Sequence, residues 1–162
     1  MFFHLKDRAL LKVSGRDSEA FLQGQLSNDI SKLDASSCQL NAYCQHQGKI
    51  LALFWVIKYE DSFFLSFPLD LLKAIKPRLQ MFVIMSDVTI DDVTSNYIQI
   101  GAIAEIQNNY FKINDKLSVI IASPGELPDF DLSPKEFWDK ACIDSCLPEI
   151  FSITSEKLVP QM

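Results

Sequence analysis

The sequence predicts an α+β fold, with a mostly antiparallel sheet and two to three helices packed on it. The chain has 162 residues, of which 48% are hydrophobic, enough for one domain with a substantial core. Short runs rich in β-branched and aromatic residues recur along it, separated by turn residues. Three other segments carry helix-start signals or apolar residues at helical spacing. We therefore expect residues 1–162 to form a single domain.

The first predicted elements are a strand at residues 9–13 and a helix from about Gly15 to Ser27. Ser14 precedes Asp17 by three residues, a spacing at which a Ser side chain caps the first helical turn. On pattern alone this stretch is a strand-to-helix turn with a solvated polar face. The predicted buried stripe is Phe21, Leu22 and Leu26, and the polar residues are Gln23, Gln25, Asn28 and Asp29.

A three-stranded meander is predicted next. Cys38 to Cys44 and Lys49 to Tyr59 are strand-like and flank a turn at Gly48, which favours an antiparallel hairpin. The second of these strands is apolar over most of its length, as expected for a central strand covered on both faces. Ser62 to Phe67 follows as the third strand.

The remaining elements are two helices and four strands. Apolar spacing predicts a helix from Pro68 to about Val83, which Pro77 should kink or end early. A last helix is predicted from Ser133 to about Cys146, with Phe137, Ala141 and Ile143 on its buried side. The predicted strands are Asp87 to Val93, Tyr97 to Ile106, Tyr110 to Ile113 and Leu117 to Ala122, with turns at Asn108-Asn109 and Asn114-Asp115 and a loop from Pro124 to Pro134.

The net charge of −6 argues against direct binding to nucleic acid or to an anionic membrane, which needs a basic surface. No apolar run reaches the ~18 residues of a membrane span. The N-terminal residues MFFHLKDR do not have the pattern of a signal peptide. We therefore expect a cytoplasmic protein whose four cysteines are reduced thiols.

The cysteines and histidines leave three alternatives open. Cys44, His46, Cys142 and Cys146 would make a Cys₃His zinc set if the fold brought them together. Against zinc, neither pair has the tight C-x₂-C spacing, and free cysteines are commonly small buried hydrophobes. A redox disulfide needs a geometry that a sequence does not show. A Cys–His nucleophile is the weakest alternative, because His4 and His46 are the only histidines and no oxyanion hole is marked.

Four segments together resemble one family. They are VSGRDSEAFLQGQLSNDI (13–30), CQHQGKIL (44–51), RLQMFVIMSDVTI (78–90) and ACIDSCLPEIFSITSEKLVPQ (141–161). In this order they resemble the N-terminal part of the YgfZ-type folate-binding proteins, relatives of the glycine-cleavage T protein, an aminomethyltransferase. The resemblance spans most of the chain, although residues 95–135 do not align.

Two departures from the family pattern bear on activity. The family's Lys-Gly-Cys-Tyr-x-Gly-Gln-Glu motif should follow Pro160-Gln161, and the sequence stops at Met162, so we expect a truncated member or a fragment. The T protein carries paired aspartates where this chain has apolar residues, around Ala52 and Leu53. Because an apolar side chain cannot position the folate amine, aminomethyl transfer is not expected.

The resemblance implies tetrahydrofolate or a related folate as the ligand. Such a ligand needs an apolar or aromatic slot, amides or carboxylates for the ring edge, and a cation for its glutamate tail. Ring faces are available from Trp55, Phe63 or Tyr43. The candidate binding residues are Gln23, Gln25, Asn28, Asp29, Lys49 and Arg8. For each of them, a role in packing or at the surface is the alternative interpretation.

Two function hypotheses remain. The first is a non-catalytic folate-binding accessory protein, which the resemblance links to iron–sulfur protein maintenance or tRNA modification. The second is an interaction domain that has lost the ligand and exposes apolar surface to a second copy or to a protein partner. A zinc- or thiol-dependent enzyme is disfavoured on the spacing given above.

Overall fold

The computed structural model describes residues 1–103, 110–126 and 131–161. Its helices are α1 (Ser18–Gln25), α2 (Leu72–Met81) and α3 (Lys135–Asp144), with 3₁₀ turns at Ile30–Lys32 and Leu69–Leu71. Its strands are β1 (Phe2–His4), β2 (Arg8–Ser14), β3 (Cys38–Cys44), β4 (Ile50–Tyr59), β5 (Ser62–Pro68), β6 (Thr89–Asp92), β7 (Ile98–Ile103), β8 (Phe111–Lys112) and β9 (Leu117–Ala122). The predicted α+β class is confirmed.

The strands form two antiparallel sheets. The larger has the order β3-β4-β5-β2-β6, and the smaller has the order β1-β7-β9-β8. One face of the larger sheet packs on α1 and α2, where Leu22 and Ile75 are buried. The other face packs on the smaller sheet and α3, through Trp55 and Trp138 among others. None of the helices in the described ranges has the length and hydrophobicity of a transmembrane span.

The hairpin and the central strand are as predicted. β3 pairs with β4 in antiparallel register from Cys38↔Ile57 to Cys44↔Ile50, with an irregularity next to the turn. Gly48 has φ of +83°, a left-handed conformation that glycine adopts without strain. Phe54 lies in the core beneath α1 and α2, whereas Trp55 lies in the core between the sheets. Both faces of β4 are therefore covered.

The prediction for the start of α1 was wrong by one turn. Ser14 is the last residue of β2, and the helix begins at Ser18. The N-cap residue is Asp17, but its carboxylate accepts a hydrogen bond from the Asp87 N–H at 2.7 Å rather than from the helix. Gly15, at φ +111°, turns the chain so closely against Asp87 that no side chain fits there. The Asp17 side chain therefore holds the segment before β6 and does not cap the helix.

The two later helices also differ from their predictions. Pro68 ends β5 and is the N-cap of the 3₁₀ turn Leu69–Leu71, so α2 begins only at Leu72 and then runs through Pro77 to Met81. In α3 the buried residue is Trp138, whereas Phe137 and Ile143 are 54% and 75% exposed. The helix buries its Trp138 face because Gly101 leaves room for the indole ring. A Cβ at Gly101 would stand 2.8 Å from that ring.

The other differences between the predicted and the observed elements lie in the N-terminal and later strands. β1 was not predicted, and it pairs with β7 across Phe3↔Gly101. Ser133 is not the cap of α3, because Pro134 stands at the N-cap position, and the Ser133 N–H donates to the Phe2 carbonyl at 2.8 Å. The predicted turn at Asn108-Asn109, the end of the Tyr97 to Ile106 strand and part of the loop from Pro124 to Pro134 lie outside the described residues.

Two glycine substitutions test this local geometry. Gly15→Ala should destabilise the protein by more than about 1 kcal/mol, because the new Cβ would stand 2.0 Å from the Asp87 carbonyl at a positive φ. Gly24→Ala in α1 should stabilise it by about 0.5–1 kcal/mol, since that site is open and helical. Urea unfolding midpoints measure both, and equal effects of the two substitutions would contradict the prediction.

Candidate functional site

The polar residues at the end of α1 fasten that segment to β3. The Asn28 N–H donates to Asn41 Oδ1 at 2.9 Å, and Asn41 Nδ2 donates to Gln39 Oε1 at 2.9 Å. Gln39 Nε2 in turn donates to the Asp29 carbonyl at 2.9 Å. Asn41 is fully buried and, like Gln39, was not predicted. The signal for both in the sequence was a pair of amide side chains two residues apart within a strand.

Local turn contacts engage other predicted candidates. Gln23 Oε1 accepts a hydrogen bond from the Ile30 N–H at 2.8 Å. Asp29 Oδ1 accepts from the Ser31 hydroxyl at 2.6 Å, and this hydrogen bond lowers the pKa of the Asp29 carboxyl. Gln25 lies half-buried on α1. The structure thus gives Gln23, Asn28 and Asp29 roles in holding the turn that follows α1.

The remaining candidates are spread over the molecule. Lys49 is exposed in the β3–β4 turn, where its carbonyl accepts from the Gln45 N–H at 2.9 Å. The three aromatic candidates are buried: Trp55 and Tyr43 are 2% exposed, and Phe63 is 4% exposed. Their rings pack in the core instead of presenting an open face, so the structure does not bring the predicted set together at one place.

Arg8 is the candidate that lies at a cavity, and it is buried between the two sheets. Its Nε donates to Ser66 Oγ at 2.8 Å, and its guanidinium carbon lies 3.6 Å from the Trp55 ring centroid. Its Nη1 pairs with the carboxylate of Glu149. Ser66 Oγ donates onward to Gln99 Oε1 at 2.5 Å. The positive charge of Arg8 is therefore balanced by Glu149, a carboxylate of the same chain.

A cavity of about 350 Å³ opens beside this pair. Trp138 and Phe151 contribute aromatic walls, and Arg8, Glu149 and Lys135 contribute charges. Lys135 Nζ is 2.7 Å from Asp139 Oδ1 and 3.0 Å from Asp7 Oδ2. The cavity thus combines an apolar wall with a buried ion pair and an exposed ion-pair network.

A second cavity of about 290 Å³ lies on the other side of the C-terminal segment, residues 147–161. Leu40 and Leu53 form one wall, and Ile150 and Leu158 form the other. Glu149 lines both cavities. Its neighbours alternate, since Leu147 and Phe151 line the first cavity whereas Pro148 and Ile150 line the second.

Hydrogen bonds hold the C-terminal segment across the sheet. The Ile50 N–H donates to the Leu158 carbonyl at 2.8 Å, and Ser155 Oγ donates to the Leu51 carbonyl at 2.8 Å. The Ser152 N–H donates to Asp70 Oδ2 at 2.8 Å. These bonds hold the segment that begins beside Glu149, which lines both cavities. Sequence reasoning missed Glu149, because its partner Arg8 is 141 residues away.

Comparison with known proteins gives the family. An uncharacterized protein of Haemophilus influenzae is 30% identical over 166 residues, covering 99% of this chain and 58% of that protein. The tRNA-modifying protein YgfZ of Colwellia psychrerythraea is 24% identical over 191 residues, again covering 98% of this chain and 58% of the relative. These similarities support a YgfZ-type family for this chain. The chain spans a little over half the length of these relatives.

The fold comparison agrees with a YgfZ-type family. The glycine cleavage system aminomethyltransferase T from Bartonella henselae matches with a TM-score of 0.62 at 13% identity, covering 89% of this chain and 45% of that one. This likeness confirms the predicted aminomethyltransferase-like fold. No family model matches the sequence.

The two positions that the resemblance pairs with catalytic aspartates are both buried in this chain. Ala52 is fully buried and Leu53 is 8% exposed. Leu53 lines the second cavity. This wall of the cavity is therefore apolar, without a carboxylate that could hold a reacting amine.

The thiols are distributed between the core and the first cavity. Cys38 is buried, which raises the pKa of its thiol to about 12. Cys142 lines the first cavity, and burial together with the nearby Glu149 carboxylate raises the pKa of its thiol to about 11. Within the described ranges, no three His, Cys, Asp or Glu side chains are grouped so that they could hold a metal ion.

Removing the carboxylate from the Arg8–Glu149 pair should destabilise the protein. Glu149→Gln leaves the buried guanidinium without its counter-charge, and we expect a loss of about 3 kcal/mol in the free energy of unfolding. The double variant Arg8→Met/Glu149→Leu should recover part of that loss, because it leaves no charge unpaired. Asp115→Asn, on an exposed pair, is the control and should change little. An unchanged urea midpoint for Glu149→Gln would contradict this role.

Thiol labelling tests the burial of the cysteines. At pH 8 a thiol with a pKa of about 11 is ionised in about one molecule in a thousand, so Cys142 should react slowly with Ellman's reagent. Cys38 should not react until the protein unfolds, whereas the exposed Cys146 should react first. Mass spectrometry of partly labelled protein gives the order, and early labelling of Cys38 would show that the core is open.

Proposed function

We propose that this chain is a non-catalytic, folate-binding accessory protein, and that a reduced folate occupies the two cavities that meet at Glu149. The observation that carries the proposal is the position of the Glu149 carboxylate, held by Arg8 at the junction of the cavities. A carboxylate accepts two parallel hydrogen bonds, which suits the adjacent N–H donors on the pyrimidine edge of a pterin. The similarity to the YgfZ-type family supports the choice of ligand.

The cavity walls suit the rest of the ligand. Leu40, Leu53 and Ile150 provide an apolar slot for a flat ring, of the kind that small-molecule sites use. Lys135, at the first cavity, is the cation proposed to meet the glutamate tail, in exchange for one of its partners Asp7 and Asp139. In this arrangement Arg8 orients Glu149 instead of meeting the ligand's own carboxylates. Lys49 and the polar residues Gln23, Gln25, Asn28 and Asp29 line neither cavity and do not contact the folate in this proposal.

The site is proposed to bind folate without transferring an aminomethyl group. Transfer needs a carboxylate to position the folate amine, and Leu53 supplies a hydrocarbon surface at the corresponding place. Several relatives are named tRNA-modifying proteins, which supports a role connected with tRNA modification. We include the link to iron–sulfur protein maintenance in the same proposal, with a cytoplasmic location.

A second candidate function is an interaction domain. The observation that favours it is the exposure of large apolar side chains on α3 and the C-terminal segment: Phe137 is 54% exposed, Ile143 is 75% exposed and Ile153 is 72% exposed. Such a surface is typical of a protein contact. Concentration-dependent mass in light scattering, without folate binding, would favour this candidate.

Titration with tetrahydrofolate tests the first proposal. Fluorescence should change on saturation because Trp138 lines the first cavity and Trp55 lies under Arg8. Calorimetry should give one site per chain with a micromolar Kd, about −8 kcal/mol. Leu53→Phe, which fills the second cavity without touching the ion pair, should weaken binding about tenfold or more.

The controls separate binding from stability. Glu149→Gln should also weaken binding, and its folded fraction must first be established by circular dichroism. Asp115→Asn should bind as the wild type does, because Asp115 is exposed and lines neither cavity. Absence of heat at millimolar ligand would reject folate binding, and unchanged binding by both site variants would reject this site.

A further inference from the structure

The surface formed by α2 and the turn after it combines cations with exposed apolar side chains. Met81 is 72% exposed, Phe82 48%, Ile84 71% and Met85 fully exposed. We call this the α2 surface, consisting of Lys73, Lys76, Arg78, Met81, Phe82, Ile84 and Met85. It is separate from both cavities described above, because these residues line neither of them.

The backbone after α2 turns these apolar side chains away from the core. α2 buries Ile75 and Leu79, and Val83 packs against the same core. The Val83 N–H donates to the Gln80 carbonyl at 3.1 Å, which closes the turn. Met85 follows with φ of +52°, an uncommon conformation for a side chain of this kind. The tip of the turn is thus held with its side chains in solvent.

The charge of this region is opposite to that of the whole chain. Residues 71–86 include Lys73, Lys76 and Arg78 and no Asp or Glu, whereas the chain carries −6. Within the described part of the chain, no carboxylate forms an ion pair with Lys73 or Lys76. Lys73, Lys76 and Gln80 are spaced to share one helix face, which leads to the apolar turn.

Three kinds of occupant can be compared on these features. A second copy in a two-fold contact would place the same cations against each other. RNA would use the cations for its phosphates, but Phe82 is the one ring of the α2 surface, and Met81, Ile84 and Met85 offer bases nothing on which to stack. A bilayer with anionic headgroups uses both features, since cations lie at the headgroups and protruding apolar side chains enter the hydrocarbon boundary.

We propose that the α2 surface docks this chain on an anionic phospholipid bilayer. Met81, Ile84 and Met85 enter the interface, and Lys73 and Lys76 lie against the lipid phosphates. The expectation of no membrane partner rested on the net charge of the whole chain. That net charge does not reveal a local surface of the opposite sign. The proposal does not depend on folate binding, because no cavity residue takes part.

Sedimentation with vesicles tests the docking. The protein should bind vesicles of phosphatidylglycerol and phosphatidylcholine in equal parts, and it should bind phosphatidylcholine alone about tenfold more weakly. Ile84→Asp and Met85→Asp should each weaken binding about tenfold. Lys73→Glu/Lys76→Glu should remove the preference for phosphatidylglycerol. The matched controls are Ile153→Asp and Lys116→Glu/Lys140→Glu, which make the same changes at exposed positions elsewhere and should bind as the wild type does.

Three results would overturn the proposal. The first is no binding to phosphatidylglycerol vesicles, and the second is equal binding by the α2-surface variants and their controls. The third is a different occupant of the same surface. Binding of labelled tRNA that Lys73→Glu/Lys76→Glu abolishes and Ile84→Asp leaves intact would assign the surface to RNA. A dimer that Met85→Asp dissociates would assign it to a second copy.

Discussion

The buried charge of Arg8 is the constraint on which the arrangement of this chain depends. A guanidinium between two sheets needs a partner for each of its donors and a counter-charge, because burial of an unpaired charge costs several kcal/mol. Ser66 and Trp55 come from the larger sheet, Gln99 links Ser66 to the smaller one, and Glu149 comes from the C-terminal segment. One side chain thus ties together three parts of the fold that are distant in sequence.

The position of the C-terminal segment is set by that charge and by the start of β4. Glu149 fixes its beginning at Arg8, and the bond from Ile50 to Leu158 fixes its end at the sheet. Between these points the segment crosses an apolar face without filling it, which leaves a cavity on each side. The proposed ligand site therefore follows from the two points at which the C-terminal segment is held, the ion pair at Glu149 and the hydrogen bond at Ile50.

Sequence reasoning worked where structure is decided locally. The hairpin of β3 and β4 follows from the turn at Gly48 and from the strand-like runs on either side of it, both visible within a few residues. It failed where partners are distant. Trp138 is buried because Gly101 makes room for it, and Glu149 matters because Arg8 is opposite. The polar residues after α1, which the sequence predicts as a binding wall, form hydrogen bonds with the backbone of their own turn and with β3, and a role of theirs in binding stays a prediction.

Leu53 shows why a shared fold does not carry a shared reaction. The likeness to the Bartonella aminomethyltransferase concerns the path of the backbone, and it holds at 13% identity. Chemistry requires a particular side chain at a particular place, and Leu53 places a hydrocarbon surface against the second cavity. An apolar wall still contributes to holding a flat ring, since burial of the ring against it is favourable. By the resemblance, Leu53 stands where the aminomethyltransferase has a carboxylate, and this difference is the reason why the proposed function is folate binding without aminomethyl transfer.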